Sequence, residues 1–130
     1  MIYLDSAAVV KLAHAEAESD ALRDWLKKRS DLGWVSSVLA EVESFRALAR
    51  HAPDAIRRLP PVLDLIELVD LDAGIRMLAQ TIAPASVRSL DAIHLATAMR
   101  MGREVTSFVT YDEGLADAAV AAGLPLDTPA

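Results

Sequence analysis

Short segments of strand-forming residues alternate with helical segments along the whole chain. Such segments occupy residues 1–4, 34–35, 65–69 and 107–110, with a last one near Leu126, and a helical pattern follows each of the first four. Parallel strands must be joined by long crossovers, which are usually helices. This order therefore predicts an α/β fold with an open, mostly parallel sheet that carries helices on both faces.

Apolar residues at helical spacing mark the segments between the strands. The longest pattern begins at Ser37, which can cap a helix, and runs to about Arg50. Residues 92–101 are almost entirely apolar, which predicts a central helix. In the longest helix the apolar stripe, which we expect to face the core, consists of Val38, Val42, Phe45 and Ala49.

Length and composition limit the class of protein. With 130 residues and a hydrophobic fraction of 53%, the chain can bury a core as one domain over residues 1–130. No apolar run approaches the roughly 20 residues that cross a bilayer, and the first residues lack the pattern of a signal peptide. The absence of cysteine excludes disulfides and thiolate zinc sites. We therefore expect a cytoplasmic protein without membrane contact.

Acidic residues lie at several junctions of strand and helix. Asp5 and Asp112 follow predicted strands, and Asp91 lies in the first turn of the apolar helix. Glu43 lies in the second turn of the helix that follows residues 34–35. The carboxyl ends of parallel strands share one edge of the sheet, where ligands of open α/β folds bind. These four carboxylates could therefore share one crevice.

Each acid taken alone has an ordinary structural explanation. An acid between a strand and a helix most often caps the helix, which is worth about 1 kcal/mol. Ser6 and Ser89 weaken this explanation for Asp5 and Asp91, because each serine offers a hydroxyl cap beside the acid. Glu43 could simply pair with an arginine one turn away on its own helix.

A shared crevice would create repulsion that protonation or a cation must relieve. Oxygen ligands without cysteine favour Mg²⁺ or Mn²⁺ over zinc, and Mg²⁺ keeps several waters that leave room for phosphate oxygens. The net charge of −6 is the opposite of a generally basic nucleic-acid surface. Any contact with nucleic acid must therefore be local or mediated by a metal, and the pattern indicates chemistry on phosphodiesters.

Four motifs become recognisable when they are taken together. They are YLDSA at residues 3–7, ESFRA at 43–47, RSLDAIHLATA at 88–98 and FVTYD at 108–112. In order and spacing they resemble the PIN-domain ribonucleases, and most closely the VapC toxins of bacterial toxin–antitoxin pairs. The resemblance covers nearly the whole chain.

The resemblance implies an α/β/α sandwich about a parallel sheet and hydrolysis of RNA by a water that Mg²⁺ or Mn²⁺ activates. It assigns Asp5 and Asp91 as direct metal ligands and Glu43 as an outer or bridging ligand. Asp112 becomes the fourth acid, which orients water or a second ion. Ser6 stands where the family often has threonine and keeps the hydroxyl. The implied partners are the RNA substrate, a cognate VapB-type antitoxin and a second copy of the chain in a homodimer.

Two neighbouring residues compete with this assignment. Glu41 and Glu43 lie about 200° apart on a helix, so only one can face the crevice. We choose Glu43, because Arg46 and Ala47 follow it at the spacing of the family. His94 lies one turn from Asp91 and could touch the substrate, although a hydrogen-bonded histidine on a buried helix is the simpler interpretation.

Other functions are compatible with the same residues. A generic metal-dependent phosphoesterase would need no antitoxin, and a binding module would use the acids only as helix caps. An aspartyl-phosphate phosphatase is disfavoured, because residues 5–7 lack its second aspartate and no glycine-rich phosphate loop is present. Glu113 and Asp117 are interpreted as solvated helix acids. The arginines between residues 46 and 58 form either a solvated face or a contact for RNA or a partner.

Overall fold

Five parallel strands form a single sheet in the computed structural model, which describes residues 1–130. The spatial order of the strands is β3-β2-β1-β4-β5, and every neighbouring pair is parallel. The predicted parallel α/β sheet is therefore confirmed. In chain order the strands are β1 (Ile2–Leu4), β2 (Trp34–Ser37), β3 (Ile66–Val69), β4 (Ser107–Val109) and β5 (Leu126–Asp127).

Seven α-helices and two 3-10 helices connect the strands. Pro60 and Pro61 lie in the first turn of the short helix Leu59–Leu63, where an amide N–H is not needed. None of the helices combines the length and apolar character needed to cross a membrane. The α-helices are α1 (Ser6–Ala13), α2 (Ser19–Lys27), α3 (Leu39–His51), α4 (Leu59–Leu63), α5 (Ala73–Gln80), α6 (Ser89–Met101) and α7 (Glu113–Ala121), and the 3-10 helices are Pro53–Arg58 and Gly102–Glu104.

The sheet carries a hydrophobic core on each of its faces. In β1, Ile2 and Leu4 pack with residues of α1 to α4. Tyr3 points to the other face, where it packs with Leu95 of α6 and Phe108 of β4, because successive side chains of a strand alternate between faces. The two cores give the three-layer α/β/α arrangement that the resemblance implies.

The apolar stripe predicted for α3 is wrong. The helix buries Ala40, Ser44 and Leu48, whereas Val42 and Phe45 are 56% and 49% exposed. Ser44 is tolerated inside because its hydroxyl donates to the backbone carbonyl of Ala40. Small residues on the buried face let α3 lie close to α1, and the larger apolar side chains remain at the surface.

This orientation of α3 predicts different costs for two truncations. Leu48→Ala should lower the free energy of unfolding by about 2–5 kcal/mol, because it leaves a cavity in the core. Phe45→Ala should cost at most about 1 kcal/mol, because half of the ring already contacts water. Urea unfolding followed by circular dichroism measures both. Equal losses would mean that Phe45 belongs to the core after all.

Candidate active site

The four predicted acids line one cavity at the carboxyl edge of the sheet. Asp5 follows β1, Asp112 lies just beyond β4, Glu43 comes from α3 and Asp91 from α6. The cavity has a volume of about 430 Å³. Its complete lining is Asp5, Ser6, Ala7, Glu43, Arg88, Ser89, Leu90, Asp91 and Asp112.

Asp5 caps a helix and lines the cavity at the same time. Its Oδ1 accepts a hydrogen bond of 2.8 Å from the backbone N–H of Ala8, at the start of α1. Its own backbone N–H donates to the carbonyl of Val109 in β4. Ser6, which we expected to offer the alternative cap, is the first residue of the helix instead. Capping therefore explains one oxygen of Asp5 and leaves the second.

The carboxyl group of Asp5 is almost completely removed from water. Burial raises its pKa to about 6, and the carboxylate of Glu43 adds to the rise. The Thr110 hydroxyl, the Ala8 N–H and His94 act in the opposite direction. At neutral pH this group is ionised but poorly solvated, so a nearby cation would stabilise it.

A single arginine contacts both of the other aspartates. Arg88 Nη2 lies 3.0 Å from Oδ2 of Asp112, and its Nε lies 3.4 Å from Oδ2 of Asp91. The Arg88 side chain is 74% exposed, so it reaches the acids from solvent. Sequence reasoning gave Arg88 no role, although it stands three residues before Asp91, a spacing that places two side chains on one helix face.

The two aspartates differ in their local roles. Asp112 caps α7, since its Oδ1 accepts from the N–H of Leu115 at 2.8 Å. Asp91 caps nothing, and neither does Ser89, because α6 has no side-chain cap. Burial raises the pKa of Asp91 and the Asp112 charge raises it further, while Arg88 lowers it. Local helix structure therefore uses Asp91 only as a first-turn charge that suits the helix dipole.

Glu43 and Glu41 point to different surfaces. Oε1 of Glu43 lies 2.7 Å from Nε2 of His94, and the residue lines the acidic cavity. Glu41 is exposed and lines a separate groove beside Val42 and Phe45. Glu43 forms no ion pair with an arginine of its own helix; its partner is His94.

His94 is fully buried and uses both ring nitrogens. Its Nδ1 lies 2.7 Å from the hydroxyl of Tyr3, and its Nε2 contacts Glu43. The expected hydrogen-bonded histidine on a buried helix is confirmed. Its direct contact with Glu43 was missed, because the two residues are far apart along the chain.

The remaining acids of α7 lie at the surface. Glu113 and Asp117 are both exposed. Asp117 lines a second cavity of about 390 Å³, which also contacts Arg88, Asp91 and Asp112. The two cavities therefore share three residues, and Asp117 lies at the outer end of this continuous surface.

The chemistry of the donors fits a hard divalent ion. All four predicted ligands are carboxylates, and Mg²⁺ commonly binds through one or two carboxylates while it keeps several waters. No group of three or more His, Asp or Glu side chains is close enough to hold one ion by protein contacts alone. The residues therefore fit an ion held by one or two side chains and not a closed cage.

The buried state of Asp5 predicts an unusual dependence of stability on pH. Between about pH 4 and 6 the native protein binds more protons at Asp5 than the unfolded chain, so stability should fall as pH rises through this range. One pKa unit corresponds to about 1.4 kcal/mol, so the cost at pH 7 reaches about 3 kcal/mol. Asp5→Asn should remove this cost, because asparagine carries no charge and caps a helix about as well.

Urea unfolding between pH 4 and 8 in the presence of chelator measures this effect. Asp5→Asn should be at least as stable as the wild type at pH 7 and should lose the slope between pH 4 and 6. Asp31→Asn, which changes an exposed loop acid, serves as the control. A variant that is clearly less stable at pH 7 would show that the Asp5 charge makes a stabilising contact other than the cap.

Similar proteins agree with this architecture. The chain matches the family model of the PIN domain over residues 2–121. It is 45% identical over 131 residues to the ribonuclease VapC35 of Mycobacterium tuberculosis, which covers 99% of this chain and 97% of that protein. Ribonuclease VapC46 of the same organism is 43% identical, with 98% and 97% covered.

A solved structure extends the comparison to the fold. The crystal structure of VapC20 from Mycobacterium tuberculosis, described as a sarcin–ricin loop cleaving toxin, has a TM-score of 0.73 to this chain. The likeness covers 95% of this chain and 96% of that one at 15% identity, so it concerns the fold alone. The family match and the close relatives together establish that the chain belongs to the PIN-domain family, within its VapC-type ribonucleases.

Proposed function

We propose that the chain is an endoribonuclease toxin that requires Mg²⁺ or Mn²⁺, acts in the cytoplasm and is inhibited by a cognate VapB-type antitoxin. The observation that carries the proposal is the meeting of Asp5, Glu43, Asp91 and Asp112 in one cavity. They come from four distant parts of the chain, and helix capping accounts for only two of them. The ribonuclease activity of the 43–45% identical relatives supports RNA as the substrate.

The four acids would divide the work according to their surroundings. Asp5 and Asp91 would hold the ion, because Asp5 uses only one oxygen for its cap and Asp91 caps no helix. Glu43 would serve as an outer or bridging ligand, and Asp112 would orient water or a second ion. When bound, the ion would lower the pKa of a coordinated water and neutralise charge on the phosphodiester.

Arg88 would supply positive charge next to the carboxylates. Its contacts with Asp91 and Asp112 are those of a largely exposed side chain, and such ion pairs contribute at most about 1 kcal/mol. The guanidinium can therefore leave the acids at little cost. Once free, it can donate two parallel hydrogen bonds to a phosphate of the RNA.

Exposed arginines beside α3 offer further contacts for the RNA backbone. Arg46 and Arg50 lie on α3, and Arg57 and Arg58 follow on the next 3-10 helix. All four are exposed. In a chain of net charge −6, they concentrate positive charge in residues 46–58, partly on the helix that also carries Glu43.

An apolar groove beside the acidic cavity supports a protein partner. The groove has a volume of about 480 Å³, and the exposed side chains of Val42 and Phe45 stand against Ile56 and Leu63. Exposed apolar surfaces of this kind commonly mark protein interfaces. In the proposal the antitoxin binds here and reaches the acidic cavity, while the toxin itself is a homodimer.

Metal removal tests the proposed chemistry. Cleavage of total bacterial RNA by the purified chain should require Mg²⁺ or Mn²⁺, because four carboxylates without a cation repel phosphate oxygens. EDTA should stop the reaction, and excess Mn²⁺ should restore it, as followed on denaturing gels. Full activity in excess chelator would reject the metal-dependent mechanism.

A matched pair of variants tests the choice of helix face. Glu43→Gln should reduce kcat by about 10–100-fold, the usual loss when a group that supports a metal is changed. Glu41→Gln should leave kcat unchanged, because Glu41 points away from the cavity. The assay is steady-state cleavage of one RNA oligonucleotide at saturating Mg²⁺. Similar losses in both variants would count against the assigned face.

A further inference from the structure

Three side chains form a hydrogen-bonded line from the core to the acidic cavity. The Tyr3 hydroxyl lies 2.7 Å from Nδ1 of His94, and Nε2 of His94 lies 2.7 Å from Oε1 of Glu43. Tyr3 and His94 are 0% and 1% exposed, whereas the Glu43 side chain reaches the cavity surface. The line joins β1, α6 and α3, three elements that meet only in the folded protein.

Packing holds both rings of this line in place. The Tyr3 ring stacks on Phe108, with centroids 5.0 Å apart and planes 9° from parallel. It also meets the His94 ring edge to face, at 5.8 Å and 84°. Tyr3 belongs to the central strand of the sheet. Neither ring can turn without disturbing the core on that face.

The direction of the hydrogen bonds follows from Glu43, because a carboxylate can only accept. The Tyr3 hydroxyl can donate or accept, so it takes the role that Nδ1 of His94 leaves open. A neutral imidazole has one donor and one acceptor nitrogen. Nε2 of His94 therefore donates to Glu43, and Nδ1 of the neutral ring accepts from the Tyr3 hydroxyl.

We propose that Tyr3 and His94 are positioning residues for the active site: Tyr3 donates to Nδ1 and stabilises the His94 tautomer whose Nε2 holds one oxygen of Glu43. The second oxygen of Glu43 has no partner within the protein and remains available to an ion or a water. The inference rests on the proposed function, because the proposed function makes Glu43 an outer or bridging ligand of the ion. Neither Tyr3 nor His94 touches the substrate.

A purely structural role would not require this chemistry. Phenylalanine at position 3 could stack on Phe108 equally well, and an apolar residue at position 94 would avoid the cost of burying an imidazole. The polar pair instead connects the core to one carboxylate. Groups that orient metal ligands from behind typically change metal affinity or activity by 10–100-fold when they are removed.

The tautomer can be observed directly and without RNA. In the wild-type protein in chelator, long-range ¹H–¹⁵N correlation spectra should show His94 with Nε2 protonated and Nδ1 unprotonated. Tyr3→Phe should shift the Nδ1 signal and lower the population of this tautomer, because Nδ1 loses its donor. Tyr111→Phe, which removes a hydroxyl that donates to the carbonyl of Pro129, should leave the His94 signals unchanged. A His94 ring with the proton on Nδ1 in the wild type would overturn the proposal.

Mn²⁺ binding and cleavage kinetics test whether the line acts on the site. His94→Leu should weaken Mn²⁺ binding or lower kcat by about 10–100-fold with little change in KM. His94→Gln should retain most of both, because its amide can still donate to Glu43. Tyr3→Phe should cost less than His94→Leu and should add no loss in the His94→Leu background, since Tyr3 acts only through His94.

The outcomes separate this proposal from the proposed function. If Glu43→Gln cleaves RNA as well as the wild type, the role proposed for Glu43 fails. A different result would reject only the positioning proposal. In that case Glu43→Gln is impaired, but Tyr3→Phe, His94→Gln and a correctly folded His94→Leu all match the wild type. Equal losses in His94→Gln and His94→Leu would indicate a requirement for imidazole shape and would also overturn it. Mn²⁺ affinity decides the matter even if no RNA is cleaved.

Discussion

The position of β1 at the centre of the sheet underlies everything else in this molecule. Its three residues are buried on both faces, and it pairs in parallel with β2 on one side and β4 on the other. Parallel pairing brings the chain out of all these strands at one edge. Asp5 leaves β1 there, Glu43 and Asp112 come after β2 and β4, and Asp91 comes from α6, which precedes β4.

The cavity shows that a residue that caps a helix can also line the proposed active site. A carboxylate has two oxygens, and at Asp5 and Asp112 one of them accepts a backbone N–H. The bond fixes the side chain and leaves the second oxygen to another partner, as Oδ2 of Asp112 meets Arg88. Asp91 instead lies in the first turn of α6 beside Arg88, and Glu43 contacts His94. Helix capping is therefore correct for two of these acids and accounts for one oxygen of each.

Much of the fold and the cavity could be predicted, because both depend on local sequence patterns and on one rule of topology. The rule is that parallel strands place their carboxyl ends at one edge of the sheet. The junction acids follow strands whose apolar character is visible in the sequence. The face of α3 was missed, because small residues such as Ala40 and Ser44 carry little hydrophobic signal although they are buried. The line from Tyr3 to Glu43 was missed for another reason. Tyr3 and His94 are 91 positions apart in the sequence, and Glu43 and His94 are 51 positions apart, so they meet only in three dimensions.

Neighbouring residues of α3 face two different surfaces. Glu43 turns to His94 and the cavity, whereas Val42 before it and Phe45 beyond it stand in the groove on the outer side. The exposed pair contributes little to the core, so substitutions there leave the helix and the carboxylate where they are. One helix can thus accept changes on its outer side while the carboxylate on its other side keeps its position, so the groove can vary between related chains without moving the acid.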